Sequence, residues 1–146
     1  MAGYSGTPLP QKLGIKAGAR VGVSNAPPEL RAALGALPDG VIIEDAAAKG
    51  GASAYDVVVA FVTATEELAG VFARLRQRLD PAGGLWIGWP KKKNAAGIST
   101  DVTENVVRDV GLSTGLVDNK VCAIDDTWSG LRFVVRLADR PIARRR

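Results

Sequence analysis

The chain has 146 residues, of which 47% are hydrophobic and 23% charged, and a formal net charge of +4. This composition is typical of one soluble globular domain. Histidine is absent and the single cysteine is Cys122, which excludes a serine–histidine triad, histidine-ligated zinc and an intramolecular disulfide. No run approaches the roughly 20 apolar residues that span a bilayer, and residues 1–10 lack the pattern of a secretory signal. We therefore expect no membrane partner, and a cytoplasmic location in which the lone thiol stays reduced.

The positive charge is concentrated at the C-terminus, where four of the last seven residues are arginine. Without those four charges the rest of the chain is neutral, so it offers no broad basic face and nucleic acid is not expected as a partner. Composition divides the chain into an N-terminal arm over 1–18, rich in Gly, Pro and Ser, a single α/β domain over 19–138 and a basic tail over 139–146. The tail is expected to be disordered.

In chain order, the apolar patterns predict six strands and three helices. The strands are expected at 20–25, 41–44, 56–62, 85–89, 117–124 and 131–137, and the helices at 27–34, 68–79 and 101–110. The order β-α-β-β-α-β-α-β-β predicts an α/β fold, a three-layer sandwich with a mostly parallel Rossmann-like sheet and a C-terminal antiparallel hairpin. Alternation of apolar residues with Arg132 and Arg136 predicts that the last strand lies at an edge.

The helix at 68–79 has the clearest pattern. Thr63 and Glu66 have the spacing of a capping box, and five apolar residues fall on one face, namely Leu68, Val71, Phe72, Leu75 and Leu79. The segment 80–84 is expected to end this helix, and Gly111 to end the helix after it.

One connection leaves two alternatives open. The chain between Glu44 and Asp56 is too short for a helical crossover, which needs a dozen or more residues. Either the strand at 41–44 is antiparallel, or an extended loop makes the crossing.

Ligands of parallel sheets bind beyond the carboxyl ends of the strands, and chemically capable side chains are expected at that edge. The candidate ligand-binding residues are Asn25, Glu44, Asp45, Trp89, Lys91, Lys92, Thr103 and Trp128. Lysines beside a helix N-terminus would suit a small anion such as phosphate. The alternative interpretation is a solvated lysine loop with capping threonines. No catalytic residue and no metal ligand set is indicated.

The tryptophans divide between core and surface. Trp86 and Trp89 are expected to share one strand face, with Trp86 in the core and Trp89 at the ligand surface. Trp128 lies in a polar turn, where a large apolar side chain suggests a ligand or partner contact. The neighbouring Asp125 and Asp126 are expected to cap the backbone of that turn, and Cys122 to be a small core residue.

Several strings in the chain resemble a bacterial family of unknown function common in actinobacteria. These strings are Tyr4-Ser-Gly-Thr-Pro-Leu, Thr103-Glu-Asn-Val-Val-Arg108, Asp118-Asn-Lys-Val-Cys-Ala-Ile124 and Trp128-Ser-Gly-Leu-Arg-Phe-Val-Val135. The resemblance covers almost the whole chain and implies no activity.

From Tyr55 onward the chain also resembles the C-terminal half of Rossmann-like S-adenosylmethionine methyltransferases. In that family a strand, a helix, Pro-x-Gly-Gly, a strand, a helix and a final hairpin follow in this order, as they do here. The family's Gly-x-Gly loop after the first strand is replaced by the segment 24–28, Ser-Asn-Ala-Pro-Pro. The resemblance implies that Glu44 or Asp45, at the end of the second strand, would hold the ribose hydroxyls of S-adenosylmethionine.

Three functional hypotheses follow. The first is a non-catalytic or degenerate methyltransferase-like module that binds a small anionic ligand or a protein partner. The second is a small S-adenosylmethionine-dependent transferase. The third is nucleic-acid association through the lysine loop and the arginine tail, which predicts steeply salt-dependent binding.

Overall fold

The computed structural model describes residues 7–46 and 54–140, which form one six-stranded sheet with helices on both faces. The strands are β1 (Arg20–Ser24), β2 (Ile42–Asp45), β3 (Tyr55–Phe61), β4 (Leu79–Pro90), β5 (Leu116–Ala123) and β6 (Trp128–Val135). The helices are α1 (Leu9–Leu13), α2 (Leu30–Leu34), α3 (Leu68–Arg76) and α4 (Glu104–Ser113), with short 3-10 helices at Thr65–Glu67 and Leu137–Asp139. The predicted α/β sandwich is confirmed, with α1 as an additional element.

The strand order is β2-β1-β3-β4-β6-β5. β1 pairs in parallel with β2 and β3, and β3 with β4, whereas β6 is antiparallel to both β4 and β5. The mostly parallel sheet and its closing antiparallel hairpin are therefore as predicted. β2 is parallel, so the antiparallel alternative is wrong. The extended loop of the other alternative falls on residues 46–54, of which 47–53 lie outside the described residues.

Each face of the sheet carries its own hydrophobic core. One core packs under α3 and α4 and contains Leu85, Ile87 and Trp89; the other packs under α1 and α2 and contains Trp86. The prediction that Trp86 and Trp89 share a face is wrong, because side chains alternate along a strand and residues three apart point to opposite faces. The prediction that Trp86 belongs to the core is confirmed. Its side chain is fully buried, and its indole N–H donates to the Leu13 carbonyl at 3.0 Å.

The helix predicted at 68–79 is shorter than its apolar pattern. α3 ends at Arg76, and Leu79 is the first residue of β4, where it pairs with Tyr55. The next pair is Val57 with Gly84, so residues 80–83 form an irregularity within a long strand, and the helix ends before the segment 80–84 that was expected to end it. Leu79 is buried in the α3/α4 core all the same, which is why it fitted the helical pattern.

The capping residue is also different, and it caps the 3-10 helix Thr65–Glu67 that leads into α3. Glu67, rather than Glu66, accepts hydrogen bonds from the Ala64 amide at 3.1 Å and the Thr63 amide at 3.3 Å. These donors would otherwise be unpaired at the start of the helix.

Gly111 lies inside α4 and does not end it. It is buried against the ring of Phe133, and a methyl group at this position would overlap that ring. α4 continues to Ser113, and Gly115, with φ +92°, follows it.

The final strand is not at an edge. β6 lies between β4 and β5, and the edges of the sheet are β2 and β5. Of the two arginines that produced the alternating pattern, Arg136 lies beyond the end of β6. Arg132 lies over Gly84 of β4 and donates to Asn119 of β5 at 3.3 Å. Because Gly84 has no side chain, a central strand can carry an arginine here.

The described part of the predicted N-terminal arm, 7–18, packs on the sheet. Leu9, Leu13 and Ile15 are buried in the α1/α2 core. At the other end, the Arg140 side chain donates to the Val135 carbonyl at 3.2 Å. The rest of the arm and tail, 1–6 and 141–146, lies outside the described residues, so the disorder of the tail stays a prediction.

Candidate functional site

The strands β1 to β5 run in one direction, and β6 runs opposite to them. The carboxyl ends of β1 to β5 and the start of β6 therefore lie at the same end of the sheet, which we call the carboxyl edge. Asn25 follows β1, Asp45 ends β2, Lys91 follows β4 and Trp128 begins β6. These four predicted ligand residues therefore lie along one edge, as the strand directions implied.

The strand order reverses at this edge. From β1 the chain passes to β2 on one side and then to β3 on the other, so the switch point lies between β1 and β3. Ser24, the last residue of β1, pairs with Ala60 of β3. The loops after these strands diverge beyond the pair, and open α/β sheets bind ligands in the crevice that such a divergence creates.

The turn after β1 has a strained backbone. Asn25 has φ +54° and, among the described residues, is the one non-glycine residue with positive φ. This left-handed conformation is normal for glycine and costs other residues about 1–2 kcal/mol, with asparagine the best tolerated. The turn thus has a conformation that suits glycine, at the place where the resemblance to methyltransferases implies a glycine loop.

The two acids of β2 have different surroundings. Asp45, in register with Val23 of β1, is exposed at the carboxyl edge. Glu44 accepts a hydrogen bond from the Tyr55 hydroxyl at 3.0 Å and pairs with Arg20 at 3.1 Å. Of the two acids that the resemblance implied for ribose, Asp45 is the one placed at the carboxyl end of β2, whereas the Glu44 side chain reaches Tyr55 and Arg20.

The residues around Glu44 were not predicted from the sequence. Tyr55 is 1% exposed, and Arg78 donates to the Tyr55 hydroxyl at 3.2 Å and to the Ala46 carbonyl at 2.9 Å. The Arg78 and Arg20 guanidinium carbons lie 5.2 Å and 5.7 Å from the centre of the tyrosine ring. Burial, followed by the adjacent Glu44 carboxylate, raises the pKa of the Tyr55 hydroxyl above its ordinary value. A tyrosine at the start of a buried strand was the sole signal for this cluster.

The other aromatic candidates are buried. Trp128 is 5% exposed and meets Phe61 edge-on, with ring centres 5.0 Å apart. Its indole N–H is buried without a hydrogen-bond partner among the described residues. Trp89, 6% exposed, belongs to the α3/α4 core.

The lysine loop after β4 is held by one asparagine. The Asn94 side chain donates to the carbonyls of Lys91 and Ile98, each at 2.9 Å, and accepts from the Ile98 amide at 2.8 Å. Lys92 is exposed and, with Asn94 and Thr100, lines an open cavity of about 510 Å³.

Of the two threonines before α4, Thr103 caps the helix and Thr100 ties the preceding loop to the segment after β3. The Thr103 hydroxyl accepts from the Val106 amide at 3.2 Å, and the Thr100 hydroxyl donates to the Thr63 carbonyl at 2.7 Å. In the turn before β6, Asp125 accepts from the Thr127 and Trp128 amides, each at 2.8 Å. Capping, which was predicted for the turn acids, is therefore observed at Asp125.

Within residues 7–46 and 54–140, no group of three or more acidic, cysteine or histidine side chains lies close enough to hold a metal ion. None of the helices described there has the length and apolar character needed to cross a membrane.

No protein-family model matches the chain, and no curated protein matches it in sequence. The resemblance to a bacterial family of unknown function therefore stays a prediction. Its first string begins at Tyr4, and residues 4–6 of that string lie outside the described residues.

Solved structures share the fold at low sequence identity. Magnesium protoporphyrin IX methyltransferase from Synechocystis PCC 6803 with bound S-adenosylhomocysteine is 12% identical, with a TM-score of 0.53 over 84% of this chain and 76% of that chain. A protein from Bordetella parapertussis, described as a possible exported protein, is 13% identical, with a TM-score of 0.59 over 88% of this chain and 65% of the other. A pericyclic reaction enzyme is also 13% identical, with a TM-score of 0.50 over 89% of this chain and 47% of its own. The fold is therefore that of Rossmann-like methyltransferases, and at these identities the likeness establishes the fold alone.

Proposed function

We propose that this protein binds S-adenosylmethionine, or its demethylated product, at the carboxyl edge of the sheet beside β1, β2 and β3. The observation that carries the proposal is the arrangement of two residues at the switch point. Asn25 makes a left-handed turn after β1, and the exposed Asp45 ends the neighbouring strand. The fold and its methyltransferase neighbours support the choice of ligand.

The residues at this edge have the donors and acceptors that such a ligand needs. A carboxylate such as that of Asp45 can accept hydrogen bonds from two vicinal hydroxyls of a ribose, because it has two oxygens. The side-chain amide of Asn25 both donates and accepts, and so can bind either an amino or a carboxylate group. Pro27 and Pro28, which have no backbone N–H, reduce the donors of this loop compared with a glycine loop.

The protein is then a small S-adenosylmethionine-dependent transferase. When bound, this cofactor supplies an activated methyl group. Residues after β1 and at the end of β2 hold the nucleoside at the carboxyl edge. The lysine loop and Trp128 lie farther along the same edge, beside β4 and β6. Fold alone does not fix the reaction, and one of the neighbours of this fold is a pericyclic reaction enzyme.

A second candidate is a module that binds the ligand without transferring the methyl group. The observation that favours it is the pair Pro27 and Pro28, which leaves fewer backbone donors at the place where the resemblance implies a glycine loop. In that case the protein would respond to S-adenosylmethionine or to a small anion near Lys92 without turning it over.

Thermal unfolding with a panel of ligands tests the binding on which both candidates depend. The panel is S-adenosylmethionine, S-adenosylhomocysteine, ATP and inorganic phosphate. A ligand at about 100 times its Kd stabilises the native state by roughly 2.7 kcal/mol, a shift of a few degrees in Tm. We expect a saturable shift with the two adenosyl compounds that Asp45→Asn diminishes. A shift with phosphate alone, abolished by Lys92→Ala, would favour an anion-binding module instead.

A further inference from the structure

We propose that Tyr55 and Arg78 are positioning residues for Asp45: they fix the end of β2 so that the Asp45 carboxylate meets the ribose hydroxyls of an adenosyl ligand. This inference rests on the proposed function and names the part of the fold on which the specificity of that site depends. Neither residue is placed in contact with the ligand.

Contacts on both sides of Asp45 carry the inference. On one side, the Glu44 carboxylate accepts from the Tyr55 hydroxyl at 3.0 Å and from Arg20 at 3.1 Å. On the other side, the Ala46 carbonyl accepts from Arg78 at 2.9 Å. The Ala46 amide also donates to the Val23 carbonyl of β1 at 2.8 Å. Asp45 is therefore flanked by two residues whose polar groups are held.

β2 needs such support because it is short and exposed. It has four residues, lies at the edge of the sheet and pairs on one side with β1. Ile42 within it is 51% exposed. A short edge strand gains little stability from burial, so contacts from its neighbours decide how well its end is ordered.

The supporting cluster is held by burial and by hydrogen bonds. Tyr55 is buried, and its ring lies across Gly22 of β1. Its hydroxyl donates to the Glu44 carboxylate at 3.0 Å and accepts from Arg78 at 3.2 Å. Arg78 forms a planar fork that contacts the Tyr55 hydroxyl and the Ala46 carbonyl at the same time. A lysine at position 78 would have the charge but not the fork.

The test compares two ligands by isothermal titration calorimetry on four single variants, and on Tyr55→Phe and Arg78→Lys each combined with Asp45→Asn. The ligands are S-adenosylhomocysteine and its 2′,3′-dideoxy analogue, which lacks the hydroxyls that Asp45 would bind. The variants are Asp45→Asn, Tyr55→Phe, Arg78→Lys and the control Arg76→Lys. Arg76 donates to the Thr114 carbonyl near the end of α4, away from β2. Thermal unfolding of each variant establishes that it is folded.

For the hydroxyl-bearing ligand we expect Asp45→Asn to weaken binding about tenfold or more, since a hydrogen bond to a charged group is lost. Tyr55→Phe and Arg78→Lys should weaken it about three- to tenfold, and the two should have little further effect in the Asp45→Asn background because coupled residues are not additive. All of these variants should bind the dideoxy analogue within about twofold of the wild type, and Arg76→Lys should leave both affinities unchanged.

The outcomes separate the two proposals. If Tyr55→Phe and Arg78→Lys bind S-adenosylhomocysteine as the wild type does, or lose affinity equally for both ligands, the positioning role is overturned while the site stands. If the wild type shows no saturable binding of S-adenosylhomocysteine, the proposed function fails and the positioning role fails with it.

Discussion

The ring of Tyr55 lies directly over Gly22, so that a methyl group added at Gly22 would stand 2.8 Å from Tyr55 Cδ2 and 3.0 Å from the Ala46 methyl carbon. Gly22 is in the middle of β1 and pairs with Glu44 of β2. Its lack of a side chain is what lets the tyrosine cross β1 to reach Glu44. One glycine thus links the packing of the sheet to the order of the candidate site.

Gly22→Ala should destabilise the protein by about 1–3 kcal/mol, because a side chain added to a packed core displaces its neighbours. Urea unfolding measures the change. The matched control is Gly70→Ala, at an exposed position in α3 where an added methyl group would lie more than 4 Å from any atom outside the local helix backbone. There alanine should stabilise the helix by about 0.5–1 kcal/mol. Equal effects of the two substitutions would contradict the close packing of Tyr55 on Gly22.

Gly111→Ala should also destabilise the protein, by about 1–3 kcal/mol, although alanine is the better helix former. The added methyl group would overlap the Phe133 ring, which is fully buried and packs edge-on against Phe72 at 5.0 Å. Unfolding of Gly111→Ala, Phe133→Leu and the double variant forms a double-mutant cycle. We expect the double variant to be more stable than the sum of the single effects. Simple additivity would argue against this contact.

Substitutions at Asn25 test the left-handed turn after β1. Asn25→Ala should cost about 1 kcal/mol of folding free energy, whereas Asn25→Gly should be neutral or slightly stabilising, since glycine adopts positive φ without strain. Chemical denaturation of both variants is the measurement. An alanine variant as stable as the glycine variant would show that the backbone at residue 25 is not left-handed.

The stability contributed by Tyr55 should depend on pH in the alkaline range. Burial raises the pKa of its hydroxyl above the ordinary value of 10.0, so the unfolded chain loses this proton at a lower pH than the folded protein does. The contribution is fully present below about pH 10 and decreases as the pH rises above it.

Comparison of the wild type with Tyr55→Phe isolates that effect. At pH 8 the variant should be less stable by about 1 kcal/mol, because it lacks the hydroxyl hydrogen bonds. The difference should shrink as the pH rises above about 10. A difference that grows over this range would mean that the folded protein favours the ionised tyrosine.

The fold could be predicted from the sequence because its strands are recognisable apolar runs. The buried segments around Val58 and Ile87 have few polar residues, so their strand character and central position follow from composition. The α1 helix was missed because it has five residues and lies among glycines and prolines; it depends on burial of Leu9 and Leu13 rather than on helix propensity.

The errors have tertiary causes. Gly111 has the place of a helix stop in the sequence, and only the position of Phe133 explains a glycine within a helix. The alternation around Arg132 indicates an edge strand until Gly84 is seen beneath the guanidinium, with Cζ 2.6 Å from where a methyl carbon at Gly84 would lie. The Tyr55–Arg78 contact joins residues 23 positions apart, and no local pattern relates them.

Chemical-shift mapping by nuclear magnetic resonance tests the central claim most directly. In a titration of ¹⁵N-labelled protein with S-adenosylhomocysteine, we expect saturable shifts of the amides of Asn25, Asp45 and Thr63 at the carboxyl edge. The amides of Ala82 and Gly83, at the opposite edge beside Arg132, should stay unchanged. No saturable shift at any amide, or shifts confined to that opposite edge, would contradict a nucleoside site at the switch point between β1 and β3.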